Sequence, residues 1–335
     1  MKKRWLSLLT AVSLCIPTLL FSGCKNQNGV TEQGFYLDTV ISITLYSNDA
    51  EEQIHSCFDL AEKYENYFSN TISDSDISKI NESNGAPVEV HDETIELLNS
   101  GIYYSELSGG SFDITVGALS NLWDFDNNTG NIPNDSDIQA ALKTVDYKKI
   151  QIEGNTVTYT GNGILDLGGI AKGYIADKMK EYLNSEGIYE GLINLGGNVL
   201  CVGPKDSDDG YYTIGLQKPF SDDGSVIASV KVSDQSVVTS GTYQRYFEKD
   251  GEIYHHILDL TTGYPIDNHL SSVTIITDSS VDADALSTTV FTMGEDAGKQ
   301  FVEALDHVEA IFITDDNKVS YTSGIGTSIP FEMAE

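Results

Sequence analysis

Asp166-Leu167-Gly168-Gly169-Ile170-Ala171-Lys172-Gly173-Tyr174 reads as the end of a strand, a glycine turn and the first turn of a helix. A glycine pair at such a junction lets backbone approach a ligand closely and aims amide N–H groups at it. Lys172 sits where helix-dipole logic prefers an acid, so it either meets an anion or is a solvated surface lysine. The spacing predicts a strand over Ile164-Leu165-Asp166. It predicts a helix from Ile170, with Tyr174, Ile175, Met179 and Leu183 on its apolar face and Gly187 as its C-terminal cap.

Working outward, Val40 to Tyr46 alternates and is β-branched, which predicts a strand. Ala50 to Phe68 has helical spacing, with Ile54, Phe58, Ala61, Tyr64 and Phe68 on one face, and Thr94 to Leu107 repeats it. Asn131 to Leu142 reads as a polar loop leading into a short helix. Lys149 to Ile152 and Thr156 to Tyr159 read as a hairpin around Glu153-Gly154-Asn155. Strands are expected over Gly191–Val202, broken at Gly196-Gly197-Asn198, and over 212–216, 225–232, 236–239, 273–277 and 310–314. Helices are expected over 282–293 and 297–305. Strands in adjacent groups with helices between groups favour α+β over a doubly wound fold. With no short-period repeat and no linker, one globular unit is expected.

The first residues are not read as part of that unit. Met1-Lys2-Lys3-Arg4 is a positive n-region, Trp5 to Phe21 an apolar h-region, and Ser22-Gly23-Cys24 a small-residue end with cysteine. This is the pattern of a bacterial lipoprotein signal over residues 1–23, with Cys24 as the lipidated residue. The apolar run is shorter than the roughly 20 residues a membrane span needs, and Pro17 interrupts it. Residues 24–30 are expected to be a lipidated tether and 31–335 the folded domain, anchored on the extracytoplasmic face of a bacterial membrane. Cys57 and Cys201 could pair outside the cytoplasm, but they lack a framework pattern, and two buried thiols fit better.

Nineteen basic residues against 51 acidic give a net charge of −32. Nucleic acid needs a basic surface, so it is not expected as a partner. An anionic ligand would need a divalent metal or a placed lysine to offset the field. Acidic runs such as Ser73-Asp74-Ser75-Asp76 and Ser207-Asp208-Asp209 are expected to be solvated loops.

Three further runs carry chemistry. In Asp282-Ala283-Asp284-Ala285-Leu286-Ser287-Thr288-Thr289, a helix would put Asp284 and Thr288 on one face. A carboxylate and a hydroxyl there suit a hard cation such as Mg²⁺, although Asp282 or Asp284 could equally be an N-cap. His255-His256-Ile257-Leu258-Asp259 places two of the six histidines beside an acid, just before Thr262-Gly263-Tyr264-Pro265. Histidine accepts protons near neutral pH, and one of the pair is expected to be structural. Gly110-Ser111-Phe112-Asp113-Ile114-Thr115-Val116-Gly117, with Trp123 beyond it, could stack on a flat ring, but core packing suits Trp123 better. Serine-hydrolase and zinc-site patterns are absent.

Taken in order, these runs resemble the ApbE family of FAD:protein FMN transferases. The resemblance runs from Leu37-Asp38-Thr39-Val40, where the family often has Met-Gly-Thr, through Phe68-Ser69, Asp76 to Asn81, and Phe112-Asp113 with Thr115-Val116-Gly117. It continues through Asp166 to Gly173, Asn194 to Asn198, Thr239-Ser240-Gly241, His256 to Asp259, Thr262 to Pro265 and Asp284 to Thr288. Asp38 replaces the family glycine, and Leu260 follows Asp259 where proline is usual. The resemblance implies a T-fold-related α+β unit of antiparallel sheets with packed helices. It implies Mg²⁺-dependent transfer of FMN from FAD, through a phosphoester, to a threonine or serine of a target protein, with release of AMP. It assigns Asp284, Thr288 and the Gly169 carbonyl to the metal. Leu37, Ser111, Phe112, Asp113, Asp166, Lys172, His256 and Ile257 are assigned to FAD, with His256 as candidate base and Asp284 as its catalytic companion. The implied partners are extracytoplasmic loops of respiratory flavoproteins. An FAD pyrophosphatase giving FMN and AMP, or a flavin-storing lipoprotein, are the alternatives.

Overall fold

The strand Leu270–Thr277 is buried at all eight of its positions, because it lies mid-sheet with a layer on each face. The computed structural model describes residues 29–334 except Asp126, Asn128, Thr129, Asp208 and Asp222. The expected signal segment, Cys24 and most of the tether therefore lie outside the described residues.

In chain order the elements are β1 (Val30–Tyr36), β2 (Thr39–Leu45), α1 (Ala50–Phe68), α2 (Asp76–Glu82), β3 (Val88–Glu89) and α3 (Asp92–Leu107). Then come α4 (Gly117–Trp123), α5 (Asp135–Leu142), β4 (Ile150–Glu153), β5 (Thr156–Tyr159) and α6 (Ala171–Ser185). The next stretch holds β6 (Gly191–Leu195), β7 (Asn198–Val202), β8 (Tyr212–Gln217), β9 (Val226–Val232), β10 (Ser236–Gly241), β11 (Tyr246–Lys249) and β12 (Glu252–His255). The last are β13 (Leu270–Thr277), α7 (Ser280–Met293), α8 (Glu295–Val302), β14 (Glu309–Thr314), β15 (Val319–Tyr321) and β16 (Phe331–Met333). β1 begins at Val30, the residue where the tether was expected to end.

Eight strands form one sheet in the order β1-β2-β6-β7-β10-β13-β14-β15, every ladder antiparallel. Side chains alternate between its faces. Ile41, Ile43, Ile193, Leu195, Val273, Ile275 and Phe312 point into the core shared with the helices. Cys201, Val237, Ile276 and Ile311 point the other way, against the small sheet β16-β9-β8. The result is helices, large sheet and small sheet in layers, the expected α+β unit. A third cluster, with Trp123 and Phe247 at its centre, joins α4 and α5 to the β11–β12 hairpin. Trp123 is fully buried and donates from Nε1 to Gly263 O at 2.9 Å, so it is core.

α1 keeps the expected bounds, and its apolar stripe, Ile54 through Phe68, is its buried face. α7 is buried almost all round, since it lies across β10 and β13 while α6 covers its other side. Ser279 caps it by accepting from Asp282 N, so neither Asp282 nor Asp284 is the N-cap.

Two expectations are corrected. Ile164-Leu165-Asp166 is extended but joins no sheet, making only an isolated bridge to Val116. Asn81 stands in for a partner strand: its Oδ1 accepts from Leu165 N at 2.7 Å and its Nδ2 donates to Leu165 O at 3.1 Å. Asp76 is not solvated. It is 2 % exposed and accepts from His91 N, His91 Nδ1 and Thr94 Oγ1, tying α2 to the start of α3. Asp76→Ala would strand the buried Thr94 hydroxyl and the His91 N–H groups and is expected to cost about 1–3 kcal/mol, read as a lower urea midpoint. Both cysteines are free and buried, their thiols pushed up to about 12 by desolvation.

Candidate active site

The runs quoted above converge because several connections share one end of the large sheet. The β1–β2 turn and the β6–β7 turn are neighbours there, since β2 pairs with β6 from Ile41↔Leu195 onward. Gly196 and Gly197 take φ of +63° and +99°, and Thr39 packs so tightly on Gly196 that a Cβ would collide with it. Leu37 and Asp38 form the other turn at φ 55° and 54°. That left-handed geometry is why glycine suits position 38, and aspartate tolerates it better than most side chains. Leu37 N donates to Glu65 Oε1 at 3.0 Å, which anchors the turn on α1.

At the same end, the 166–173 turn meets the start of α7. Asp166 Oδ1 accepts from Gly168 N at 2.8 Å, closing the turn. Lys172 Nζ reaches back to Gly168 O at 3.1 Å. In a regular helix Gly173 N would satisfy the Gly169 carbonyl. Here it donates instead to Asp284 Oδ2 at 2.8 Å, from the facing helix. Among the described residues no N–H reaches Gly169 O, and Asp284 Oδ1 carries no hydrogen bond. One turn on, Thr288 Oγ1 lies 3.2 Å from Ser240 Oγ, at the end of β10. Ser240 in turn meets Ser287 Oγ at 2.8 Å.

Gly173 was read only as part of a motif, yet it decides this geometry. A Cβ there would be driven into the Ser280 carbonyl. Gly173→Ala is expected to wedge α6 from α7 at about 1–3 kcal/mol, with most activity lost. A melting curve together with a transfer assay checks both effects.

The two histidines have different roles. His255 is buried, donates from Nε2 to Ile266 O at 3.0 Å and accepts from Ile257 N on Nδ1 at 3.3 Å. It is the structural member of the pair, its imidazole lowered to about 4 by burial. His256 Nδ1 lies 3.3 Å from Arg245 O. A carbonyl only accepts, so Nδ1 carries the hydrogen and Nε2 is left as the basic nitrogen. Its protonation is pushed down to about 3, first by desolvation, then by Arg245, His255 and Lys172.

Not every assigned residue is presented for binding. Asp113 is buried, with Oδ1 accepting from Thr115 N and Oγ1 and Oδ2 from Tyr147 N. Desolvation raises its carboxyl above the usual range. It works as an internal bolt that shapes the 111–117 loop. Ile257 is likewise buried. Phe112 packs against Gly169, where a Cβ would come within 3.1 Å of its ring. Ser111 Oγ donates to Ser108 O at 3.2 Å beside it. Asp259 Oδ1 accepts from Thr261 N and Oγ1 and its Oδ2 from Thr262 Oγ1, so it builds the turn before Pro265. A groove of about 1020 Å³ opens at the other end of the sheet, beside Tyr46, Ile188 and Lys205. None of the residues above lines it.

Among the described residues, no cluster of three or more His, Cys, Asp or Glu side chains could hold a metal. A cation here would rest on one carboxylate, one hydroxyl, one carbonyl and the oxygens of its ligand. Such an all-oxygen, ligand-completed set suits Mg²⁺.

Residues 37–312 match the model of the ApbE family. A FAD:protein FMN transferase of Klebsiella pneumoniae is 37% identical over 287 residues, 84% of this chain and 88% of the relative. One of Treponema pallidum is 32% identical over 309 residues, 86% of this chain and 85% of the relative. The crystal structure of the ApbE protein from Thermotoga maritima superposes with a TM-score of 0.80 at 31% identity, covering 88% of this chain and 97% of that one. The flavin transferase ApbE from Vibrio cholerae gives a TM-score of 0.78 at 30% identity, covering 88% and 97%. With the family model matched over residues 37–312 and relatives sharing sequence and fold at this level, the chain is a transferase enzyme of the ApbE family.

Proposed function

We propose that this protein transfers FMN from FAD to a threonine or serine hydroxyl of a target protein, with Mg²⁺. The observation that carries the reading is the bond from Gly173 N to Asp284 Oδ2. It leaves Asp284 Oδ1, the Gly169 carbonyl and Thr288 Oγ1 as oxygen donors beside Lys172 and the glycine turn. A divalent cation on those donors supplies charge neutralisation for a pyrophosphate. The chain's own groups do the rest. Lys172 can leave Gly168 O for a phosphate oxygen, and the 168–169 backbone lets that phosphate come close. Asp166 holds the turn in shape, while Leu37, Ser111 and Phe112 flank it.

His256 Nε2 takes the acceptor hydroxyl proton. The hydroxyl oxygen then bonds to the FMN phosphorus as the bond to the AMP oxygen breaks, and AMP departs. Phosphoryl transfer asks mainly for such positioning and charge stabilisation. We place the enzyme on the extracytoplasmic face of a bacterial membrane, held through Cys24. The residue 1–23 pattern supports this, as does the firm anchoring that several acyl chains give. Acceptors there would be exposed segments of respiratory flavoproteins.

The test is to mix the mature protein with FAD, Mg²⁺ and an acceptor protein carrying an accessible threonine. A flavin-fluorescent acceptor band on a denaturing gel supports transfer. FMN and AMP without a band indicate hydrolysis, and unchanged FAD indicates storage; either outcome overturns the reading.

A further inference from the structure

We propose that Asp177 is a positioning residue for Asp284, acting through a two-point interlock between α6 and α7. The proposal rests on the reading of Asp284 as a metal ligand. Gly173 and Asp177 lie one turn apart on α6, and Ser280 and Asp284 one turn apart on α7. At one point α6 donates, from Gly173 N to Asp284 Oδ2 at 2.8 Å. At the other α6 accepts, Asp177 Oδ1 from Ser280 N and Oδ2 from Val281 N, both at 2.9 Å. Ser279 Oγ also lies 3.5 Å from Asp177 Oδ2. Between the two points Gly173 presses on the Ser280 carbonyl, so the helices touch backbone to backbone.

This is more than a second helix cap. Ser279 already caps α7 by accepting from Asp282 N. Asp177 takes the two N–H groups that this cap leaves over, and it does so from the helix that Asp284 must meet. A slip of one residue along the axis, about 1.5 Å, would break both points together. Metal-ligand side chains must be held to roughly 0.5 Å, and the groups behind them do that holding. Asp177 therefore fixes which Asp284 oxygen faces Gly173 and which remains for the cation.

The test titrates Mn²⁺ into wild type and variants with FAD present, following free Mn²⁺ by electron paramagnetic resonance. Asp177→Ala is expected to weaken Mn²⁺ binding about tenfold or more, with FAD affinity in EDTA within about twofold of wild type. Amide exchange at Gly173 should quicken. Asp177→Asn keeps one good acceptor and should fall between, which also covers the case in which the alanine variant unfolds. Asp76→Ala destabilises the fold elsewhere and should leave the Mn²⁺ midpoint unchanged. A folded Asp177 variant with the wild-type midpoint, or an equal shift in Asp76→Ala, overturns the proposal. Absence of Mn²⁺ binding by wild type itself would defeat the metal reading, and this inference with it, and is recognised by appearing before any substitution.

Discussion

Asp284→Ala is expected to leave no detectable flavin on the acceptor protein, a loss of about three orders of magnitude or more. The size follows from what the carboxylate does. At the α6–α7 junction its Oδ2 is engaged by Gly173 N, while Oδ1 has no partner among the described residues. A cation that neutralises a pyrophosphate supplies several kcal/mol of transition-state stabilisation, and each 1.36 kcal/mol is about tenfold in rate. Alanine also removes the acceptor for Gly173 N, so a structural loss could masquerade as a catalytic one. Asp284→Asn separates the two. Its amide oxygen can still accept from Gly173 N, so the melting temperature should stay near wild type while transfer remains lost. Full labelling by either variant at ordinary Mg²⁺ would remove Asp284 from the metal site.

The parts of this site that could be read from the sequence are those where one residue type does one local job. The α1 stripe, the Gly187 cap and the Gly196-Gly197 turn follow from periodicity and from positive φ, and they appear where expected. The turn at 166–169 was legible as a glycine turn into a helix, and Asp166 Oδ1 closes it on Gly168 N. Its strand was not legible. Ile164-Leu165-Asp166 has strand composition, but its hydrogen bonds go to Asn81 and Ile114, which are distant in sequence. Asp76 was misjudged for the same reason. An aspartate in a run of serines and aspartates looks solvated until α3 places His91 and Thr94 against it.

Functional residues were missed where their role exists only between elements. Gly173 reads as a weak helix residue, and nothing local says that its N–H bonds across to Asp284. Ser240 lay within a quoted run, but only the pairing of β10 with β13 and the packing of α7 bring it to Thr288. A usable signal did exist. Gly173 and Asp177 at a four-residue spacing, like Ser280 and Asp284, put small and acidic residues on single helix faces, as close interhelical contact requires. Asp113 was assigned to ligand contact by resemblance; in the structure its buried oxygens hold Thr115 and Tyr147. Its influence on the flavin would run through the shape of the Ser111–Phe112 loop.

His256→Ala is expected to slow transfer by about 10²–10³-fold while FAD affinity stays within about twofold, because a positioned base contributes on that scale to the chemical step alone. The pH dependence makes this role distinctive. In the free enzyme desolvation, Arg245, His255 and Lys172 push the imidazole down to about 3. A base works only unprotonated, so rate is lost as pH falls through its pKa. For kcat/KM, that acid limb should lie well below the usual histidine range. Once an anionic dinucleotide sits beside Lys172, the positive field on the ring weakens and the imidazole becomes more basic. The acid limb of kcat should therefore fall at higher pH than that of kcat/KM, with the gap between them measuring how much the bound anion primes the base. His256→Ala should lose this limb, and His256→Gln, which keeps a hydrogen-bonding side chain without a basic nitrogen, should behave alike. Stopped-quench measurement of acceptor flavinylation from about pH 2.5 to 8 tests it. An alanine variant that keeps the wild-type rate and acid limb would assign proton removal to another group.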